Sequence, residues 1–297
     1  MSSVDRPAAA VAVTGSASGI GRAVADALRA DGRRVIGVDL HDADVIADLS
    51  TADGRSTAAR GVLELAGGTL GGAVLAAGLG PAAGRERATI EVNLLGVTAL
   101  LEAWRPALAV TGDARVVVLG SNSTTTTPFV PRRAIRELLR GEVDAATRRI
   151  RRRRGLSAPV AYAASKIAVT RWVRRRAVRP EWAGAGIRLN VLAPGPVLTP
   201  LLRAQLDGPT GENVRSFPIP VRRFGTADVL ASWALFMLSP AADVLVGSVI
   251  VVDGGTDALI RPSTSPAALP LRGVPRLLWR MYRAPRDGQV ADYSGSD

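Results

Sequence analysis

Tyr162 and Lys166 are the two residues of this chain whose types and spacing best suit proton-transfer chemistry. They stand in the segment Tyr162-Ala163-Ala164-Ser165-Lys166, and a separation of four on a helix puts both side chains on one face, one turn apart. A phenol titrates near pH ~10, and a cation beside it favours the phenolate and lowers that value towards working pH. Lysine suits the task because its ammonium is a compact charge with rotatable donors, whereas guanidinium is a rigid planar fork. Composition sharpens the pair: Lys and Arg together number 38, and Lys166 is the single lysine among them. Of the 3 tyrosines, Tyr282 and Tyr293 lie near the end of the sequence, which leaves Tyr162 as the one phenol in the body of the chain. An ordinary exposed tyrosine–lysine pair would have the same spacing, so the surroundings must decide.

Those surroundings begin with an apolar strand, Val11-Ala12-Val13-Thr14-Gly15, followed by Ser16-Ala17-Ser18-Gly19-Ile20-Gly21 and a helical run from Arg22 to Ala30. Glycines let a backbone turn tightly against a pyrophosphate, and the N–H groups and dipole of the following helix favour the anion. A glycine-rich turn alone is weak evidence, since turns need glycine for conformational reasons too. Here a second strand, Arg34-Val35-Ile36-Gly37-Val38-Asp39, ends in an acid 18 residues after Gly21. A carboxylate there can accept from ribose hydroxyls and repel a 2′-phosphate, which points to NAD over NADP. A surface aspartate at a strand end is the plain alternative.

Further polar residues sit where a site would need them. Asn93 interrupts an otherwise apolar helix, and an amide there must find partners. Ser121 follows the strand Val116-Val117-Val118-Leu119-Gly120 and brings a hydroxyl to the carboxyl edge of the sheet; Ser123 is the competing hydroxyl, and Thr124 to Thr127 read as a turn. The lone histidine, His41, reads as a surface residue or an adenine neighbour. With one histidine and no cysteine, a metal site is not expected.

Together these residues resemble the short-chain dehydrogenase/reductase superfamily, from about Val11 to Arg261. The motifs are Thr14-Gly15-Ser16-Ala17-Ser18-Gly19-Ile20-Gly21, Asp39, Asp48-Leu49, Ala76-Ala77-Gly78, Asn93, Ser121, Tyr162/Lys166 and Pro194-Gly195. The segments VIADLSTADGR, AAGLGP and VDGGTDALIRP, and the short link of 14 residues between Gly78 and Asn93, are similar to the subgroup of bacterial NAD-dependent 3α-hydroxysteroid dehydrogenases/carbonyl reductases. The resemblance implies a catalytic set of Asn93, Ser121, Tyr162 and Lys166. It implies cofactor contacts from Gly15, Ser18, Gly19, Ile20 and Gly21, from Asp39 and Leu40, and from Asp48 and Leu49 at the adenine. Ala76, Ala77 and Gly78 would flank the cofactor, Pro194, Gly195, Val197 and Thr199 would meet the nicotinamide, and Tyr162 and Lys166 would hold its ribose. Where the family usually carries asparagine ahead of the alanine-glycine, this chain has Leu75-Ala76.

The expected fold is a Rossmann-type, doubly wound parallel α/β sheet, with strands near 11–14, 34–39, 72–77, 115–120, 187–192 and 248–253. A domain over 1–261 would carry a helical insertion at 124–158, a substrate loop at 198–218 with Pro200, Pro209 and Pro218, and an extension from 262 to 297. In that extension Val274 to Arg283 reads as a short amphipathic helix, a subunit contact, a lid, or a loose terminus. The net charge of +12 invites a nucleic-acid reading, but the run Arg148-Arg149-Ile150-Arg151-Arg152-Arg153-Arg154 has no interleaved aromatics for stacking. It reads as a solvated helix face, and no specific nucleic-acid partner is expected. Nothing before Val11 reads as a cleavable apolar segment, and no apolar run is long enough to span a bilayer. A cytoplasmic homodimer or homotetramer acting on a small hydrophobic alcohol or ketone is expected. The alternatives are a biosynthetic ketoreductase or dehydrogenase on another scaffold, and a non-catalytic nucleotide- or nucleic-acid-binding protein on this fold.

Overall fold

The computed structural model describes residues 9–208, 211–264, 267–288 and 290. Residues before position 9 and Pro209 and Tyr293, which entered the sequence reading, lie outside that set. The first half of the chain holds β1 (Ala10–Thr14), α1 (Gly19–Ala30), β2 (Val35–Asp39), β3 (Val45–Ile46), α2 (Ala52–Leu65), β4 (Leu70–Leu75), α3 (Glu86–Ile90), a π-helical turn (Glu91–Gly96), α4 (Val97–Ala109) and β5 (Ala114–Leu119). Then come α5 (Ser123–Thr126), α6 (Arg132–Leu138), α7 (Val143–Arg151), α8 (Ser157–Arg176), β6 (Ile187–Pro194), α9 (Pro200–Leu206), α10 (Gly211–Arg215), α11 (Ala227–Met237), β7 (Val249–Val252), α12 (Thr256–Ile260) and α13 (Val274–Arg283). The chain divides into two units, Met1–Asp257 and Ala258–Asp297.

All seven strands of the first unit run parallel in the order β3-β2-β1-β4-β5-β6-β7. Strand order reverses between β1 and β4, and in such sheets the crevice at that switch point receives the ligand. Six of the strands coincide with the apolar runs of the sequence. The two-residue β3 does not, because Val45 and Ile46 are too few to make a periodic signal. Thr124 to Thr127, expected as a turn, mostly belong to the single helical turn α5.

Alternation along the strands builds two cores. In β1, Ala10 and Ala12 pack with Leu100, Trp104 and Val169 on one side, while Val11 and Val13 pack with Val24, Leu28 and Leu230 on the other. Fully burying each such aliphatic side chain contributes ~1.5–3 kcal/mol, so a strand clothed on both faces needs apolar residues at every position. That explains the unbroken apolar runs.

The arginine-rich insertion is helical and anchored. Ile135, Leu138, Val143, Ala146 and Ile150 of α6 and α7 are buried, and both helices pack on α8. Buried Glu137 accepts a forked pair from Arg149, Nη2 at 2.8 Å and Nε at 3.0 Å. On α3, buried Glu86 accepts from Ser157 Oγ at 2.8 Å and Arg151 Nε at 3.4 Å. Arg149 is half-buried in its ion pair and exposed Arg151 reaches Glu86, whereas Arg148, Arg152, Arg153 and Arg154 are exposed without such a partner among the hydrogen bonds and ion pairs of the described residues.

The Arg149 guanidinium, against the opposing effect of burial, holds the Glu137 carboxyl below its ordinary range. A depressed carboxylate stabilises the fold above its unfolded pKa and stops doing so as pH falls through the folded one. Glu137→Gln is accordingly expected to lower the thermal midpoint at neutral pH, with the difference from wild type narrowing below about pH 4. Melting curves at several pH values check this; a difference that stays constant into acid would contradict the ion-pair account.

Candidate active site

At the switch point the ends of β1 and β4 touch through their backbones. Buried Thr14 Oγ1 accepts from Ala77 N at 3.0 Å. Gly15 has φ +71°, and a Cβ there would lie 2.8 Å from Ala77 N, so a side chain would be both strained and obstructed. Beyond it, Ser18 takes the N-cap position of α1 without making a side-chain cap hydrogen bond, leaving first-turn N–H groups available to an anion. Gly19, Ile20 and Gly21 open the helix, and Thr199 Cγ2 lies 3.5 Å from where a Gly19 Cβ would be. Ser16 Oγ is buried without a hydrogen-bond partner beside this turn.

The Asp39 carboxylate closes the other side of the turn: Oδ2 accepts from Ala17 N at 2.8 Å and Oδ1 from Leu40 N at 2.7 Å. Leu40 is exposed. Asp48 is exposed and accepts from Ser50 N at 2.9 Å, while Leu49 is buried in the core. After β4, Ala76 and Ala77 are half-buried and Gly78 is exposed. Pro194 ends β6, Gly195 N donates to Val252 O at 3.0 Å, Val197 is buried, and Thr199 Oγ1 caps α9 by accepting from Leu202 N at 3.4 Å. An uncapped helix N-terminus, a glycine floor and an acid at the end of β2 are a donor and acceptor set that could hold a dinucleotide.

The four residues proposed for chemistry come from three elements. Asn93 lies on the π-helical turn and is fully buried; its Oδ1 accepts from Leu79 N, and its Nδ2 donates to Leu79 O, each at 2.9 Å. The sequence placed it in a regular helix, but the extra residue of a π turn re-aims a side chain, and such turns are frequent at functional sites. Asn93 Nδ2 also donates to buried Ser165 Oγ at 3.3 Å, and Ser165 Oγ donates to Tyr162 O at 2.7 Å. A Cβ on Gly78 would lie 3.1 Å from Asn93 Oδ1 and 3.7 Å from Lys166 Nζ. Gly78, Asn93 and Lys166 thus converge.

Ser121 is buried beyond the end of β5, and Tyr162 is half-buried on α8. Burial pushes the Tyr162 phenol above its ordinary value, and the neighbouring Ser121 hydroxyl pulls it back only in part, so the lowering that the sequence expected from Lys166 is outweighed by burial. Lys166 Nζ donates to Leu119 O at 2.7 Å and lies 6.0 Å from the Tyr162 ring centre. Its burial pushes the ammonium down to about 8. Between the competing serines, it is Ser121 that meets Tyr162: Ser123 N donates to Ser121 Oγ at 3.1 Å, while the Ser123 hydroxyl is buried without a partner.

Sequence reasoning passed over the residues that brace this set. Besides Thr14 and Ser165, buried Asp253 accepts from Asn122 Nδ2 at 3.3 Å, Gly255 N at 3.0 Å and Asp257 N at 2.8 Å. It ties the segment after Ser121 to the end of β7. Its signal was an acid between an apolar strand and two glycines. Among the described residues no group of acids and histidines could hold a metal ion.

A model of the NAD dependent epimerase/dehydratase family matches residues 11–200, and one described as Enoyl-(Acyl carrier protein) reductase matches residues 145–257. A 3-alpha-hydroxysteroid dehydrogenase/carbonyl reductase of Comamonas testosteroni is 39% identical over 254 residues, 85% of this chain and 98% of that protein. D-threitol dehydrogenase of Mycolicibacterium smegmatis is 33% identical over 82% of this chain and 90% of its own length. Among solved structures, the 3-alpha-hydroxysteroid dehydrogenase from Pseudomonas sp. B-0831 complexed with NADH superposes with a TM-score of 0.80 at 41% identity, covering 86% of this chain and 99% of that one. Full-length relatives at this identity, on the same parallel sheet, place the chain in the short-chain dehydrogenase/reductase family.

Proposed function

We propose that the chain transfers a hydride reversibly between NAD(H) and a secondary alcohol or ketone, with a bulky hydrophobic substrate such as a 3-hydroxysteroid or a terpenoid alcohol. The observation that carries this reading is the convergence of Asn93, Lys166 and the Tyr162 helix at the carboxyl edge of the sheet, where Lys166 Nζ donates to Leu119 O at 2.7 Å and Asn93 Nδ2 reaches Ser165 Oγ at 3.3 Å. Bound NAD supplies or accepts the hydride. Ser121 donates a hydrogen bond to the substrate oxygen, and Tyr162 Oη gives that oxygen a proton in reduction or takes one in oxidation. Lys166 provides a cation beside the phenol and donors for the nicotinamide ribose. Asn93, fixed by Leu79 and Ser165, supports a water path to Lys166.

A hydrophobic substrate is supported by the apolar side chains near the site. Half-exposed Leu201 of α9 lies 3.1 Å from where a Gly80 Cβ would be, so α9 roofs the loop that follows Gly78. The subgroup of relatives with hydroxysteroid names supports the same class. Assembly as a homodimer or homotetramer is supported by Trp233 and Phe236, which stand edge to face, 6.1 Å apart and partly exposed, on α11. Among the described residues no helix is long and apolar enough to cross a membrane.

The deciding experiment follows nicotinamide absorbance with the purified chain, NAD and NADP, and a panel of hydroxysteroids, terpenoid alcohols and polyketide-like alcohols. Turnover confined to polyketide-like alcohols would move the assignment to a biosynthetic ketoreductase. No turnover on any alcohol or ketone, with tight and salt-resistant nucleic-acid binding, would overturn the enzyme reading.

Cofactor choice gives a separate expectation. With Asp39 in place NADP should bind much more weakly than NAD, and Asp39→Ala should narrow the gap by removing repulsion of the 2′-phosphate. Equal KM values for both cofactors with the unmodified chain would contradict this.

A further inference from the structure

The family models end at residue 257 or before, and the second unit, Ala258–Asp297, carries a feature that hydride transfer does not use. Helix α13 buries none of its own residues. Leu277, Leu278, Trp279, Met281 and Tyr282 are between 44% and 64% exposed, which is a large apolar surface for so short a helix. At 3.6 residues per turn, Arg276, Arg280 and Arg283 share one side and the apolar residues take the rest. From Leu271 to Arg286 the sequence holds five arginines and no acid.

Two further observations describe the border between the faces. The Arg283 guanidinium lies 5.6 Å from the Trp279 ring centre, and that of Arg286 lies 4.1 Å from the Tyr282 ring centre. Aromatic rings with a cation over their face belong where an apolar medium meets a polar one, as Trp and Tyr do at bilayer interfaces. A helix of ten residues is ~15 Å long and cannot span a ~30 Å hydrocarbon layer. It can lie in the plane of one.

We propose that α13 is a docking element for an anionic phospholipid surface, its apolar side set among the acyl chains and its arginines on the phosphates. Charge complementarity selects this occupant. Five arginines and no acid from Leu271 to Arg286 complement lipid phosphates, which accept guanidinium forks bidentately. The apolar sector is also wider than the narrow seam that pairs two helices. The proposal stands independently of the hydride-transfer reading.

Flotation of the purified full chain with vesicles tests it. Vesicles of phosphatidylcholine mixed with phosphatidylglycerol should carry the protein, vesicles of phosphatidylcholine alone should not, and binding should fall as salt is raised. Leu278→Glu with Met281→Glu, and separately Arg276→Gln with Arg280→Gln and Arg283→Gln, should each weaken binding at least about tenfold, with circular dichroism and turnover in vesicle-free solution unchanged. Absence of flotation with anionic vesicles, or equal flotation of the arginine variant, overturns the proposal. Concentration-dependent self-association abolished by Leu278→Glu with Met281→Glu, in a protein that ignores vesicles, would assign the face to a second copy instead.

Discussion

Tyr162→Phe is expected to reduce turnover by ~10²–10⁴, the contribution of a positioned proton donor, while NADH affinity stays within a few fold. The substitution removes one oxygen and keeps the ring, so the packing of α8 is preserved and only the phenol's interaction with the Ser121 hydroxyl is lost. Burial pushes the unmodified phenol upward, which makes it a proton donor across the neutral range and matches the reduction direction. Stopped-flow measurement of single-turnover NADH oxidation isolates the chemical step, and near-normal rates for the variant would falsify the assignment. Ser121→Ala should follow the same pattern with a smaller loss, because the phenol retains its proton.

Lys166→Met should abolish most turnover and at the same time leave the protein as stable as wild type, or more so, near pH 7. The ammonium is 5% exposed and its ordinary value of 10.5 is pushed down to about 8 by burial. In the window between about 8 and 10.5 the unfolded chain therefore binds more protons than the folded one, so wild-type stability rises with pH there. Below that window the folded state carries the full cost of a buried cation, on the order of 3 kcal/mol, partly repaid by the bond to Leu119 O. Methionine removes the cost and leaves the Leu119 carbonyl without that donor, so the two changes oppose each other. The check is the thermal midpoint of both proteins from pH 7 to 10: the wild-type curve should climb relative to the variant. A flat difference would mean that Lys166 is solvated and normally titrating. Lys166→Arg should also lose activity, since the guanidinium cannot reproduce the contact geometry of a compact ammonium.

The doubly wound fold was legible because it is written in periodicity: strands buried on both faces give unbroken apolar runs, and Gly15 to Gly21 mark a sharp turn between the first strand and its helix. Tyr162, Lys166 and Asn93 stood out in the sequence because each is a residue type out of keeping with its neighbours, and Ser121 because it follows an apolar strand. Ser165, Thr14 and Asp253 stood within quoted motifs but received no role, because the bonds that give them one, to Asn93, Ala77 and Asn122, join groups distant in sequence, which no local pattern records. The π-helical turn under Asn93 was invisible for a related reason. Its residues, Glu91-Val92-Asn93-Leu94-Leu95-Gly96, read as ordinary helix, and the partners that accompany the wider winding, Leu49 beside Gly96 and the Leu79 backbone on the Asn93 amide, are distant in sequence.

The double acceptance by Asp39 bears on protein engineering. Each carboxylate oxygen holds a different backbone donor, Ala17 N and Leu40 N, and no neutral side chain of that length offers two acceptors. Asparagine can keep only one of the two bonds and serine cannot reach both. Retargeting the chain to a phosphorylated cofactor is therefore a problem of at least two positions: one change to admit the phosphate, and a second to re-secure the loop that the carboxylate now fastens.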